Sequence, residues 1–164
     1  MKRILITGVA GFIGFHIVQK LVMKEDVQLV GIDNINDYYD VVLKYDRLKA
    51  CGINKALISY GAYTVSQKYT NYTFAKIDIA DSEQLKRVFE KGNFDFVIHM
   101  AAQAGVRYSL TNPEAYVHSN LVGFSNVLEC SRMFNIKHLV YASSSSVYGM
   151  STKTPFTEED NVDY

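Results

Sequence analysis

The feature that most limits what this chain can fold into is TGVAGFIG at Thr7 to Gly14, where three glycines stand three residues apart directly after an apolar run. At a turn from a strand into a helix, such glycines permit a tight turn, close approach of a pyrophosphate, and close helix-on-strand packing. The following segment has the period of a helix, with Ile13, Ile17 and Leu21 four apart and Val18 beside them. Its amino end offers unpaired N–H groups and positive partial charge to phosphates. Asp33 closes the second apolar run nineteen residues after Gly14. That is where a carboxylate must sit to accept hydrogen bonds from an adenosine ribose. Glycines also serve plain turns; strand, helix and carboxylate together point to a dinucleotide. Asp33 would repel a 2′-phosphate and no Arg or Lys lies within a few residues after it, so NAD is expected over NADP.

Downstream, short apolar runs bounded by Asp, Asn or Gly alternate with longer segments of helical period, the signature of βαβ units. Strands are expected near Arg3 to Thr7, Gln28 to Asp33, Tyr72 to Ile77, Asp95 to Met100 and His138 to Ala142. A helix after Asp81 carries a capping box in Asp81 and Gln84, with Gly92 as its stop. Another begins at Asn112-Pro113 and runs to about Phe134. DYYDVVLKYDRLKACG reads as helical, whereas INKALISYGAYTVSQKYTN shows neither period and stays unassigned. The fold class is therefore α/β: a Rossmann-type parallel sheet with helices on both faces, ending after about five strands.

Composition removes several alternatives. The 164 residues suffice for one domain, and 17 Lys plus Arg against 17 Asp plus Glu give no global field that would draw nucleic acid or a membrane surface. Cys51 and Cys130 are too few and too far apart for a disulfide framework, and the four histidines lack ligand spacing. No stretch approaches the ~20 apolar residues of a membrane span. Lys2 and Arg3 before an apolar stretch imitate a secretory signal, yet the glycines interrupt it and no small-residue cleavage site follows. A reduced, metal-free cytoplasmic protein is expected.

At this point TGVAGFIG, Asp33-Asn34 and HMAAQAG at His99 to Gly105 resemble the extended short-chain dehydrogenase/reductases, and DNINDYYD, AAQAGVRYS, SNLVGFSNVLE and YASSSSVYG resemble their nucleotide-sugar epimerases. The resemblance covers nearly the whole chain outside Ile53 to Asn71. It implies that residues 1–164 are an NAD-binding Rossmann domain, incomplete without a carboxyl-terminal substrate-binding part. It implies cofactor contacts at Gly8, Gly11, Phe12, Ile13, Gly14, Asp33, Asn34, Asp78, Ile79, Ala101 and Ala102. Asp78 could accept from the adenine amino group or simply end a strand.

The implied reaction is reversible oxidation at carbon 4 of a UDP-sugar, with UDP-glucuronate foremost, UDP-glucose or a dehydratase or decarboxylase chemistry as alternatives, and a homodimer as the full-length state. A tyrosinate base and a hydroxyl donor for the developing oxyanion are required. Aligning VYG places Ser144 at the donor position, flanked by Ser143 and Ser145, whose hydroxyls could bind a sugar carboxylate; Arg107 could pair with a carboxylate or phosphate of the nucleotide sugar or serve as a structural partner for nearby carbonyls. On composition four serines are a polar loop; their place after the fifth strand, at the carboxyl edge of an open sheet, favours a site. The family's dehydratases and decarboxylating members carry an acid just before VYG, where this chain has Ser146. The family's Tyr-x-x-x-Lys pair does not occur after the serine run, so the chain by itself is expected to lack the base. A dinucleotide-binding module without turnover would share these features. Asn120 matches a family helix position, His99 reads as a satisfied core histidine, and Tyr38 and Tyr39 match the family without a derivable role.

Overall fold

In a computed structural model that describes residues 1–162, the alternating apolar runs become a single sheet. The last two positions of the domain assigned over 1–164 lie outside the described residues. The strands are β1 (Lys2–Thr7), β2 (Val27–Asp33), β3 (Tyr63–Val65), β4 (Tyr72–Lys76), β5 (Phe96–His99) and β6 (His138–Tyr141), in the order β3-β4-β2-β1-β5-β6. Every pairing is parallel except β3 with β4.

Alternation along the strands sends side chains to two cores, as a sheet covered on both faces requires. Ile4 and Ile6 of β1 and Leu29 of β2 join Val18 of α1 (Phe12–Leu21) and Leu48 of α2 (Val41–Ala50) on one face. Leu5 and Ile32 join Leu85, Val88 and Phe89 of α3 (Ser82–Gly92) and Val127 of α5 (Phe124–Met133) on the other. This is the Rossmann-type architecture expected from the sequence, with one correction: six strands, not five. The extra strand β3 comes from the stretch without period. With three residues paired antiparallel to β4 at the edge, only Thr64 is buried, too little to print a pattern on the sequence.

Local signals resolve in detail. Asp81 Oδ1 accepts from Gln84 N at 3.0 Å, but the N–H of Asp81 itself goes to the Asp78 carbonyl, so half of the capping box forms. Gly92 is not the left-handed stop; Asn93 is, at φ +44°, while a Cβ on Gly92 would strike the Phe94 ring at 2.1 Å. The Asn112 side chain caps α4 (Pro113–Tyr116) with Pro113 in its first turn. The helix predicted to run on to Phe134 is interrupted by a π-helical turn at Val117–Gly123 before α5. Among the described residues, no helix is long and apolar enough to cross a membrane and no cluster of three metal-ligating side chains occurs.

Candidate functional site

The chain builds outward from β1 through β2 to β4, then returns to lay β5 and β6 on the other side of β1. At such a reversal, loops leave adjacent strands in opposite directions and open a crevice at their carboxyl ends. A cleft of about 370 Å³ lies there, lined from the glycine turn, the ends of β2 and β4, α2, and the loop after β5. Gly8, Gly11, Phe12, Asp33, Asn34, Ile79, Ala101 and Ala102 all line it. Gly14 lies buried beneath and Ile13 is exposed outside it.

The three glycines divide by cause. Gly8 has φ +73°, a left-handed conformation that side chains resist, and a Cβ there would meet Ala101 N at 2.7 Å. Gly14 presses α1 onto the turn, since its Cβ would lie 2.2 Å from the Gly8 carbonyl oxygen. Gly11 is different: its φ is −72° and its nearest neighbour would be 3.1 Å away. The protein's own packing demands the first two glycines far more than the third, which borders the cleft. Gly11 also starts α1 with no side-chain cap, and no acidic residue occupies the first turn. The helix amino end therefore keeps free N–H groups and an uncompensated positive field, the donor set a pyrophosphate takes.

Asp33 is 9% exposed. Oδ2 accepts from Ala10 N at 3.0 Å and Oδ1 from Ile35 N at 2.8 Å, which ties the glycine turn to the end of β2. Each oxygen keeps a second lone pair for a ligand hydroxyl. Burial pushes the carboxyl above its usual range, against the N–H of Ile35, the charge of Lys44 and the N–H of Ala10. Lys44 was invisible as a site residue in the sequence, yet it lines the cleft and is only 6% exposed. Its ammonium donates to the Asn36 carbonyl at 2.7 Å and to Asn36 Oδ1 at 2.5 Å. Burial lowers its pKa while Asp33 opposes that. Arg47, one helical turn on, donates to the Ala10 carbonyl at 3.0 Å and also lines the cleft. No Arg or Lys follows Asp33 within a few residues of the chain, but α2 brings Lys44, eleven residues later, close enough for its charge to act on Asp33, and Arg47 into the same cleft.

On the opposite wall, Thr7 Oγ1 accepts from Met100 N at 3.1 Å and Ala101 N at 3.0 Å, and lies 2.8 Å from His99 Nδ1. With its hydrogen the remaining donor, the hydroxyl gives it to Nδ1, which fixes His99 as the neutral Nε2–H tautomer. Burial lowers the His99 pKa to about 4, and the ring stacks on Phe124. The core reading of His99 thus acquires a partner set that holds the loop after β5 against the glycine turn. Asn120, in the π-helical turn, accepts from Gln103 N at 2.8 Å and donates to its carbonyl at 2.9 Å. Ser119 beside it reaches the cleft.

Other predicted residues lie apart. Asp78 does not line the cleft; its carboxylate receives Asn34 Nδ2 at 3.0 Å and Ala80 N at 2.8 Å, with His118 Nε2 3.4 Å away. Ser143, Ser144 and Ser145 follow β6 and are exposed, with Ser144 Oγ accepting from Ser146 N at 3.2 Å. Arg107 is exposed in the 3₁₀ turn Val106–Leu110 and lies outside the cleft.

Comparison with known proteins adds identity to this geometry. The family described as GDP-mannose 4,6 dehydratase matches residues 5–163. Protein CapI of Staphylococcus aureus is 49% identical over 99% of this chain and 43% of its own length. The UDP-glucuronate 4-epimerase of Thermodesulfobacterium geofontis is 44% identical over 99% of this chain and 45% of its own. Among solved structures, UDP-glucuronic acid 4-epimerase from Bacillus cereus, in complex with UDP-glucuronic acid and NAD, superposes with a TM-score of 0.77 at 28% identity. It is covered over 98% of this chain and 45% of its own. The chain thus spans less than half the length of these relatives.

Proposed function

Because the chain belongs to the GDP-mannose 4,6 dehydratase family of extended short-chain dehydrogenase/reductases, we propose that it is the NAD-binding part of a nucleotide-sugar 4-epimerase acting on UDP-glucuronate. The observation that carries the cofactor is Gly11: the glycine least demanded by the protein's own packing borders the cleft, at the uncapped amino end of α1. The substrate reading draws on the curated relatives and on Ser146.

Bound NAD would supply a hydride acceptor for the sugar carbon and return the hydride to the other face. The chain's residues do the rest. Free N–H groups of α1 bind the pyrophosphate and Asp33 accepts from the adenosine ribose, with Lys44 offsetting its charge. Thr7, His99 and Asn120 fix the loop after β5, so that Ala101 and Ala102 form a wall with no mobile polar group. Ser144 donates to the oxyanion that develops at carbon 4, and Ser143 and Ser145, with Arg107, receive the sugar carboxylate and phosphates. Ser146 cannot act as the acid that dehydration or decarboxylation would use. The proton from the sugar hydroxyl goes to a tyrosinate outside these 164 residues, since no Tyr-x-x-x-Lys follows the serine run. A cytoplasmic homodimer is the full-length state that the family resemblance implies.

The test is chromatographic product analysis with UDP-glucuronate and NAD, using the 164-residue chain and a version extended through the following coding sequence. UDP-galacturonate with little UDP-pentose is expected from the longer protein and none from the shorter. Predominant CO2 release, or preference for UDP-glucose, would overturn the substrate. Equal rates from both would overturn the assignment of the base.

A further inference from the structure

DNINDYYD contributes two tyrosines that the reaction above leaves unused. Tyr38 and Tyr39 lie in the loop after β2 and line the cleft. The Tyr38 ring packs on Tyr39 at 4.5 Å and on Tyr108 at 4.7 Å between centroids. Tyr108 belongs to the loop after β5. Because β2 and β5 flank β1 on opposite sides, the contact between these loops passes over the carboxyl end of β1, the place where the glycine turn would hold the pyrophosphate.

The far side of this bridge is built to receive it. Gly105 has φ +97°, and a Cβ there would meet the Tyr38 hydroxyl at 2.1 Å, so the loop leaves a notch that only glycine permits. Tyr116 Oη donates to the Ala104 carbonyl at 2.9 Å and also contacts the Gly105 carbonyl. Asn112 Nδ2 donates to Tyr108 Oη at 2.7 Å. The receiving loop is therefore anchored at two points on the α4 segment, whereas Tyr38, on a loop held from its other side through Asn34 and Asn36, meets it by ring and hydroxyl packing.

Resting on the NAD reading above, we propose that Tyr38 and Tyr108 form a clasp that closes over bound cofactor and must part for cofactor to enter or leave. Such a clasp suits a reaction that deposits a hydride and must take it back within one cycle: reduced cofactor lost midway would strand an oxidised sugar. The clasp acts on exchange and makes no claim on the chemical step.

The experiment is stopped-flow measurement of NADH binding and release, followed by cofactor fluorescence, on wild type, Tyr38→Ala, Tyr108→Ala and the double variant. Removing the clasp is expected to raise the release and association rates together by about tenfold, so that Kd moves less than either. The double variant should be no faster than the singles. Release within about twofold of wild type in Tyr38→Ala, with NADH still bound, would overturn the clasp. Faster release with unchanged association would also overturn it, assigning Tyr38 to direct cofactor contact. A second measurement needs no variant: amide hydrogen exchange should slow in residues 34–40 and 103–110 together when NAD is added. Slowing in only one of the two loops would overturn the clasp. Failure of wild type to bind NAD or NADH at all would instead overturn the function proposed above.

Discussion

Replacing each glycine of the turn by alanine separates what the fold needs from what the ligand needs. At Gly14 the new methyl would lie 2.2 Å from one backbone atom and 2.8 Å from another, both in Gly8, with no flexible side chain to give way. Restoring an ordinary contact requires α1 to lift from the turn by about 1 Å, and such overpacking typically costs about 1–3 kcal/mol or more. At Gly8 the left-handed conformation alone costs an alanine about 1–2 kcal/mol, and the clash at 2.7 Å with Ala101 N adds to it. At Gly11 the closest approach is 3.1 Å, which a shift of a few tenths of an ångström relieves, so less than about 1 kcal/mol is expected. For a domain of this size each kcal/mol moves Tm by about 2–4 °C. Scanning calorimetry should therefore show Gly8→Ala and Gly14→Ala lowered by roughly 5 °C or more and Gly11→Ala nearly unchanged. Titration with NAD should show the reverse emphasis: Gly11→Ala folds normally yet binds at least about tenfold more weakly, a difference of about 1.4 kcal/mol. A Gly11→Ala protein as unstable as Gly14→Ala, or one with unaltered NAD affinity, would refute the division of roles.

Further outcomes follow from the same site. Since the His99 pKa in the folded chain is lowered to about 4, the unfolded state binds its proton first on acidification. Stability is then expected to fall between about pH 6.5 and 4 by roughly 3 kcal/mol, and His99→Asn should flatten that part of a urea-denaturation profile. Lys44→Met should weaken NADP more than NAD, because Asp33 then meets a 2′-phosphate without its countercharge, and Asp33→Asn should narrow the preference; both are read by competitive binding. Asn120→Ala leaves the buried backbone of Gln103 without its two partners, a loss of about 1–3 kcal/mol measurable by chemical denaturation.

What the sequence disclosed and what it hid have physical explanations. The glycine turn, Asp33 and the parallel strands were legible because their causes are local: a strand that must end, a helix that must start, apolar runs buried on both faces. Edge strand β3 was not, since only Thr64 of its three residues is buried. Lys44 and Arg47 escaped because neither is close to Asp33 along the chain, whereas α2 brings both to the cleft that Asp33 lines. A lysine four residues before Leu48, on the same helix face, with an arginine three residues on, was the available signal. The Thr7 to His99 contact spans ninety-two residues and could be seen only once β1 and β5 were paired. The serine run was correctly placed at a strand's carboxyl edge, but its neighbours in the described residues leave it exposed, so its role rests on the family resemblance.

Titration calorimetry of NAD and NADP against the 164-residue chain tests the central claim most directly. One-to-one binding of NAD is expected, with NADP about tenfold weaker because a 2′-phosphate would meet the Asp33 carboxylate while the Lys44 ammonium is held by the Asn36 oxygens. No saturable heat with NAD, or equal affinity for the two cofactors, would contradict it.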